Sequence, residues 1–317
     1  VKSNYFFRSI HAMRGLASFA VLISHSLTLY PFFEFRAAAA GVDIFFVISG
    51  IVMCLAIEED TSKLDFIKKR IIRVVPLYWI ATGLSVAYIY ARYPHMSHSW
   101  DWIIRSFLFL PQQPGVDMPI LYTGWSLNYE MFFYLILFLS LFIFKNAPIA
   151  AACIVAMIAS FSAVGNLISY NYFFKQIFIE FSLGILIGYF LKFGGRVEKN
   201  LGIFLIFLAL VIFFIHNKFA SSGFLAWGVP SAMLILGAIS FENSELFKRN
   251  FVKIFGDASY SLYLVHPLVI WGIEWYVLPE HRGILQVAIA IAISIFISII
   301  FYKWVEKPLM RFLSKNL

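Results

Sequence analysis

"HAMRGLASFAVLISHS", residues 11–26, is apolar over nearly the length of a membrane-spanning helix, yet it holds Arg14 and His25. Eleven residues apart at 100° per residue, these two side chains lie about 20° apart around a helix and about 16 Å apart along it. They share one face. An arginine well inside a span costs on the order of 3 kcal/mol even on the lenient insertion scale, so it is expected to face a partner or a watery cavity. The stretch therefore reads as one polar track crossing a bilayer. The plainer alternative is that Arg14 snorkels to the headgroups while His25 bonds a neighbouring carbonyl, and the stretch alone leaves it open.

Outward from this stretch, apolar runs of span length recur to the end of the chain; 61% of the 317 residues are hydrophobic and 13% are charged. The composition specifies an all-α polytopic membrane protein. With about 20 residues per span, ten transmembrane helices are predicted, at roughly 9–30, 37–58, 74–92, 122–144, 147–165, 174–192, 200–216, 221–241, 256–277 and 284–304. They leave no polar stretch long enough for a separate soluble domain, so residues 1–317 read as one integral-membrane domain. The first apolar stretch is expected to be a retained helix and not a signal peptide, because "AAAAG" at Ala37–Gly41 flows straight into the next apolar run. Cys54 and Cys153 each sit within an apolar run and imply no disulfide framework.

Basic residues set the orientation. With both termini in the cytoplasm, about 19 of the 25 Lys and Arg residues fall on that side. The net charge of +8 is then explained by cytoplasmic loops facing anionic lipid, with no nucleic acid. Trp100, Trp102, Trp125, Trp271 and Trp275 are expected at outer boundaries, and Trp79 and Trp304 at inner ones, as interfacial anchors. The long outer segment, roughly 93–121, contains "SWDWIIRSFLFLP" (99–111), a pattern that predicts a short helix on the membrane surface.

Further ionisable residues gather around the track. "GVDIFFVISG" (41–50) puts Asp43 just after an outer turn, at a depth expected to match His25, where a carboxylate could fix the imidazole tautomer. Ser49 and Gly50 in the same run are expected to allow close helix packing. "TGWSLNYEMFFY" (123–134) puts Glu130 in the outer half of its span, either beside that site or as a structural acceptor. "FIKKRIIRVVPLYW" (66–79) carries Arg70 and Arg73 on one helix face, a pair that could grip phosphates or be ordinary cytoplasmic charge. "GDASYSLYLVHPLVI" (256–270) brings Tyr263 and His266 into the ninth span, as site residues or as packed core, and "YKWVEKPLMRF" (302–312) follows.

Taken in order, these motifs resemble membrane-bound acyltransferase family 3, in its O-antigen and exopolysaccharide O-acetyltransferase branch. Arg14 and His25 resemble its R-x10-H signature. "GVDIFFVISG", "KKRIIRVVPLYW", "WSLNYEMFFY", "YSLYLVHP" and "EKP" are similar to its later motifs, so the resemblance spans essentially the whole chain. It implies a multi-pass enzyme of the bacterial inner membrane that takes an acyl group, acetyl by family habit, from cytoplasmic acyl-CoA. The acceptor would be a hydroxyl of a surface or lipid-linked glycan. CoA phosphates would dock at Arg14, Arg70 and Arg73. His25 would act as general base or acyl carrier, with Asp43 or Glu130 orienting it. A thioester is already activated, and no His/Asp cluster has ligand spacing, so no metal is expected. Two alternatives stand beside this reading: acyl transfer to a lipid, peptide or small secreted metabolite, and a transporter or flippase in which the intramembrane charges line a substrate path.

Overall fold

A computed structural model of the chain describes residues 7–30, 35–58, 62–95, 99–112, 118–164, 177–219, 223–277 and 279–315. Among these residues the fold is helical without strands. In chain order the helices are α1 Arg8–Ser26, α2 Gly41–Ala56, α3 Lys63–Arg92, α4 Trp100–Phe107, α5 Gly124–Ile143, α6 Ala147–Val164 and α7 Phe178–Lys192. They continue with α8 Lys199–Phe219, α9 Val229–Ile239, α10 Glu245–Lys248, α11 Asn250–Asp257, α12 Ser259–Tyr276, α13 Ile284–Phe301 and α14 Lys307–Lys315. Six helical stretches are long and apolar enough to cross a membrane: Arg8–Leu29, Arg36–Ala56, Lys63–Arg92, Gly124–Ile143, Lys199–Phe219 and Ile284–Lys315. Ala147–Ser160 and Phe224–Ile239 are shorter apolar helices, and α7, of 15 residues, and α12, of 18, stand at the two remaining predicted positions. The predicted span ends at 165, 174–176 and 221–222, and parts of the outer segment at 96–98 and 113–117, lie outside the described residues.

The centre of the bundle is the pair α2 and α7. A Cβ on Gly50 would stand 2.2 Å from the Phe181 carbonyl oxygen, and one on Gly184 would stand 2.1 Å from that of Val47. Only glycine permits this approach, which is how helices associate where lipid offers no hydrophobic drive. α1 lies against α2, α11 and α12. α8 and α13 turn rows of large apolar side chains outward, among them Phe207, Leu210, Phe214, Ile293 and Phe296, as a lipid-facing surface should. α3 starts eleven residues before its predicted span, because Ser62 accepts a hydrogen bond from the Asp65 amide and caps a first turn that contains the acid. Arg70 and Arg73 therefore ride on the membrane helix itself.

Two helices begin deeper than the sequence places them. A Cβ on Gly41 would stand 2.3 Å from the carbonyl oxygen of Ala17, so α2 begins level with Ala17, about 12 Å along α1 from His25. Likewise α5 begins deep: Gly124 abuts the Tyr78 ring, and the Tyr263 hydroxyl donates to the Thr123 carbonyl at 3.0 Å. The predicted surface helix forms as α4, but its end tucks into the bundle. Tyr78 Oη donates to the Ser106 carbonyl and Trp79 Nε1 to that of Phe107, both at 2.8 Å. Phe109 follows in the left-handed conformation (φ 57°), its ring 4.5 Å from that of Tyr78. Non-helical backbone persists at such depth only where protein groups satisfy it, and these side chains do so.

Candidate active site

His25, in the last turn of α1, meets His266 of α12. His25 Nδ1 lies 2.8 Å from His266 Nε2, and the two rings are nearly parallel. Pro267 follows His266 and offers no N–H to the Tyr263 carbonyl, which loosens this turn. Within it, His266 Nδ1 lies 2.9 Å from the Leu262 carbonyl oxygen. A carbonyl can only accept, so His266 carries its proton on Nδ1 and presents Nε2 as an acceptor. His25 must then donate from Nδ1, and its Nε2 is left with a free lone pair. The order Leu262–His266–His25 thus fixes the tautomer of His25, the function expected of a carboxylate. Tyr122 sets its ring edge-on to His25, with centroids 4.8 Å apart.

Asp43 and Glu130 do not meet His25. Because α2 begins level with Ala17, Asp43 lies well inward and is hydrogen-bonded to Glu180 of α7, a side chain only 1% exposed. A carboxyl–carboxyl hydrogen bond requires one proton between the two acids. Glu130, one and a half turns into a deep-starting α5, accepts from Ser49 Oγ at 3.0 Å and from the Tyr134 hydroxyl one turn along. Ser49 thereby has a polar role beyond packing, while Gly50 is the packing residue.

Arg14, Arg70, Arg73, Ser49, Glu130 and Tyr134 line one cavity of about 790 Å³, counted as all space not filled by atoms. Its other end is closed by Phe45, Ser126 and Tyr263; Ser126 Oγ and Tyr263 Oη lie 2.6 Å apart. Tyr263 is one turn from His266, with ring centroids 6.1 Å apart, so the cavity ends against the histidine pair. Arg73 Nη1 lies 3.7 Å from Glu306, which is 3% exposed and also accepts from Ser261 Oγ at 2.6 Å. Glu306 is presented by a π-helical turn, Tyr302–Glu306, of the kind that re-aims a side chain. The Nε of Arg70 is buried without a partner, and Arg14 makes no hydrogen bond or ion pair among the described residues. Arg14 is within electrostatic reach of Arg73, Glu306 and Glu130. The cavity thus offers unsatisfied guanidinium donors at one end, a polar middle and an aromatic end wall. Among the described residues no group of three His, Cys, Asp or Glu side chains could hold a metal ion.

Of the residues singled out in the sequence, Arg14, Arg70, Arg73, Glu130 and Tyr263 share the cavity, and His25 and His266 stand just beyond it. Asp43 stands apart. The partners that sequence reasoning missed are Tyr122 and Glu180, while Glu306 stood in the "EKP" motif without a role. Glu180 and Glu306 carried a signal, being acids in segments otherwise fit for a membrane; Tyr122 carried none.

The family model for the acyltransferase domain of acyltransferase family 3 matches residues 7–303, and the chain is a member of that family. It is similar to the exopolysaccharide production protein ExoZ of Rhizobium meliloti (strain 1021), with 30% identity over 88% of this chain and 91% of the relative. A shorter similarity, 28% identity over 40% of this chain and 38% of the relative, links it to ORF330 of Acidianus two-tailed virus, whose name provisionally makes it an acetyltransferase. No solved structure is significantly similar to it.

Proposed function

We propose that this acyltransferase moves an acyl group, most simply acetyl, from cytoplasmic acyl-CoA to a hydroxyl of a surface or lipid-linked glycan, across ten membrane spans with both termini in the cytoplasm. The observation that carries the reading is the free Nε2 of His25, held in one tautomer by His266 at 2.8 Å, at the end of a cavity lined by three arginines. The CoA phosphates bind Arg14, Arg70 and Arg73, for which unsatisfied guanidinium forks are suited. The pantetheine arm follows the cavity toward Tyr263. His25 Nε2 takes the proton of the acceptor hydroxyl as its oxygen forms a bond to the thioester carbonyl carbon; the carbon–sulfur bond breaks, and the thiolate of CoA takes the proton back from His25. Glu306 holds Arg73 in place, and with Glu130 it keeps the cavity from carrying an uncompensated charge. The name of the Rhizobium relative supports a polysaccharide acceptor.

The test compares surface glycans of cells carrying the wild-type chain, His25→Ala, or no chain, at matched membrane levels of the two proteins. The mass increment of one acetyl group in wild type alone is expected. A different increment renames the donor. No increment, together with no turnover of acetyl-CoA by the purified protein, overturns the reading.

A further inference from the structure

A second pocket, open to solvent, lies beyond the histidine pair and is bounded by Tyr88, Arg92, Tyr93, Trp271, Glu274 and Arg282. It lies toward the opposite membrane face from the arginine-lined cavity. Arg73 and Arg92 are nineteen residues apart on α3, about 28 Å along a helix and close to the thickness of a bilayer core. On α12 the order is the same: Tyr263 closes the first cavity, His266 follows, and Trp271 lines the second pocket about 7.5 Å further along. Tyr122 joins the two regions, edge-on to His25 and packed on Trp271 with centroids 5.6 Å apart.

The walls of this pocket have a distinct chemistry. Tyr88 and Trp271 stack at 5.5 Å and are locked by a 2.9 Å hydrogen bond from Tyr88 Oη to the Trp271 carbonyl. Arg92 is held over the rings of Tyr93 and Trp275, at 5.3 and 5.7 Å. Arg282 donates to the carbonyls of Val277 and Glu274, at 3.1 and 2.8 Å, and so ties down the end of α12. Its Nη1 stands 4.0 Å from the Glu274 carboxylate, too far for a hydrogen bond, which leaves that carboxylate able to accept from a ligand. An aromatic surface, a donor fork and a free acceptor suit a ligand with an apolar C–H face and hydroxyls that both donate and accept. A carboxylate in the wall disfavours a phosphate.

We propose that this pocket is the acceptor subsite and holds a pyranose residue of the glycan, with a hydroxyl directed past Tyr122 to His25. The proposal deepens the acyl-transfer reading and rests on it. Donor and acceptor then approach the histidine pair from opposite faces of the membrane, and neither has to cross it.

The test uses the full chain in nanodiscs of zwitterionic lipid, as wild type, Arg92→Ala and Glu274→Gln. Binding of short gluco- and galacto-oligosaccharides is read by tryptophan fluorescence, and KM is measured for acetyl-CoA and for the same oligosaccharides as acceptors. Wild type is expected to show saturable binding. Each variant is expected to weaken binding and raise the acceptor KM about tenfold, the loss of one charge-assisted hydrogen bond, while the KM for acetyl-CoA stays within about twofold. Thermal melting confirms that the variants fold. Unchanged oligosaccharide affinity in both variants, or no binding to wild type, overturns the proposal. So does a fluorescence response to added phosphatidylglycerol that Arg92→Ala abolishes, which would make the pocket a lipid site. Oligosaccharide binding without acyl transfer would instead remove the acyl-transfer reading and leave a sugar site.

Discussion

His25 and His266 are joined ring to ring by one hydrogen bond, so that the second imidazole fixes the tautomer of the first. His266 Nε2 accepts the Nδ1 proton of His25 at 2.8 Å because its own Nδ1 is committed to the Leu262 carbonyl at 2.9 Å. A carboxylate here would add a buried charge beyond the aromatic end wall of the cavity, whereas an imidazole fixes the tautomer without one.

His25→Ala is therefore expected to reduce acyl transfer at least 100-fold, the lower end of what a positioned general base contributes. On the proposed mechanism His266 is a positioning residue. His266→Ala should lower kcat more than it raises KM for acetyl-CoA, and His266→Gln, whose amide oxygen can stand near the position of Nε2, should recover part of the loss. Equal activity of the two variants would sink this assignment.

Arginine substitutions should separate phosphate binding from chemistry. Arg14→Ala and Arg70→Ala are each expected to raise KM for acetyl-CoA about tenfold or more, with a smaller effect on kcat. S-acetylpantetheine lacks the nucleotide phosphates, so its KM should not change. Arg14→Lys should rescue only partly, since an ammonium cannot form the bidentate fork. A parallel loss with both donors would place these arginines in the chemistry or in folding.

Glu306 is the anchor of Arg73 and is 3% exposed, so its removal leaves the Ser261 hydroxyl and a half-buried guanidinium short of a partner. Glu306→Ala should cost about 2–3 kcal/mol, less than a fully buried pair because Arg73 is 34% exposed. A lower melting temperature in detergent, with Glu306→Gln intermediate, is the readout.

The helices and half of the site were legible because they depend on local pattern. Arg14 and His25 share a face by helical geometry alone, and Arg70 and Arg73 stand in adjacent turns of one helix. Depth was not legible. Counting inward from each predicted outer boundary put Asp43 and Glu130 beside His25, but Gly41 lies level with Ala17 and the residues just before α5 pack into the bundle, so both carboxylates lie inward of that level. Nothing local in the sequence marks the deep start of α5, since its cause is long-range: Tyr78, Trp79 and Tyr263 supply hydrogen bonds to backbone that lipid could not satisfy. The pairing of Asp43 with Glu180 is invisible for the same reason.

The close approach of α2 and α7 gives a stability prediction free of the chemistry. A side chain at Gly184 would meet the Val47 carbonyl oxygen at 2.1 Å, and backbone cannot yield as a flexible side chain does. Gly184→Val should destabilise by about 1–3 kcal/mol or prevent assembly, while Gly83→Ala, which meets nothing within 4 Å, should leave membrane levels unchanged. Comparable levels of both variants would mean that the two helices do not cross this closely.

The Asp43–Glu180 pair separates structure from catalysis most sharply. One proton must lie between the two carboxyl groups, and Glu180 Oε2 has no partner among the described residues. Glu180→Gln supplies the bridging hydrogen from an amide and lets Asp43 accept it as a carboxylate, so fold and acyl transfer should survive near wild-type levels. Glu180→Ala leaves Asp43 buried without its partner and should cost about 1–3 kcal/mol in thermal stability. If Glu180→Gln folded normally yet abolished transfer, the shared proton would have to belong to the reaction, and the histidine pair would no longer account for catalysis by itself.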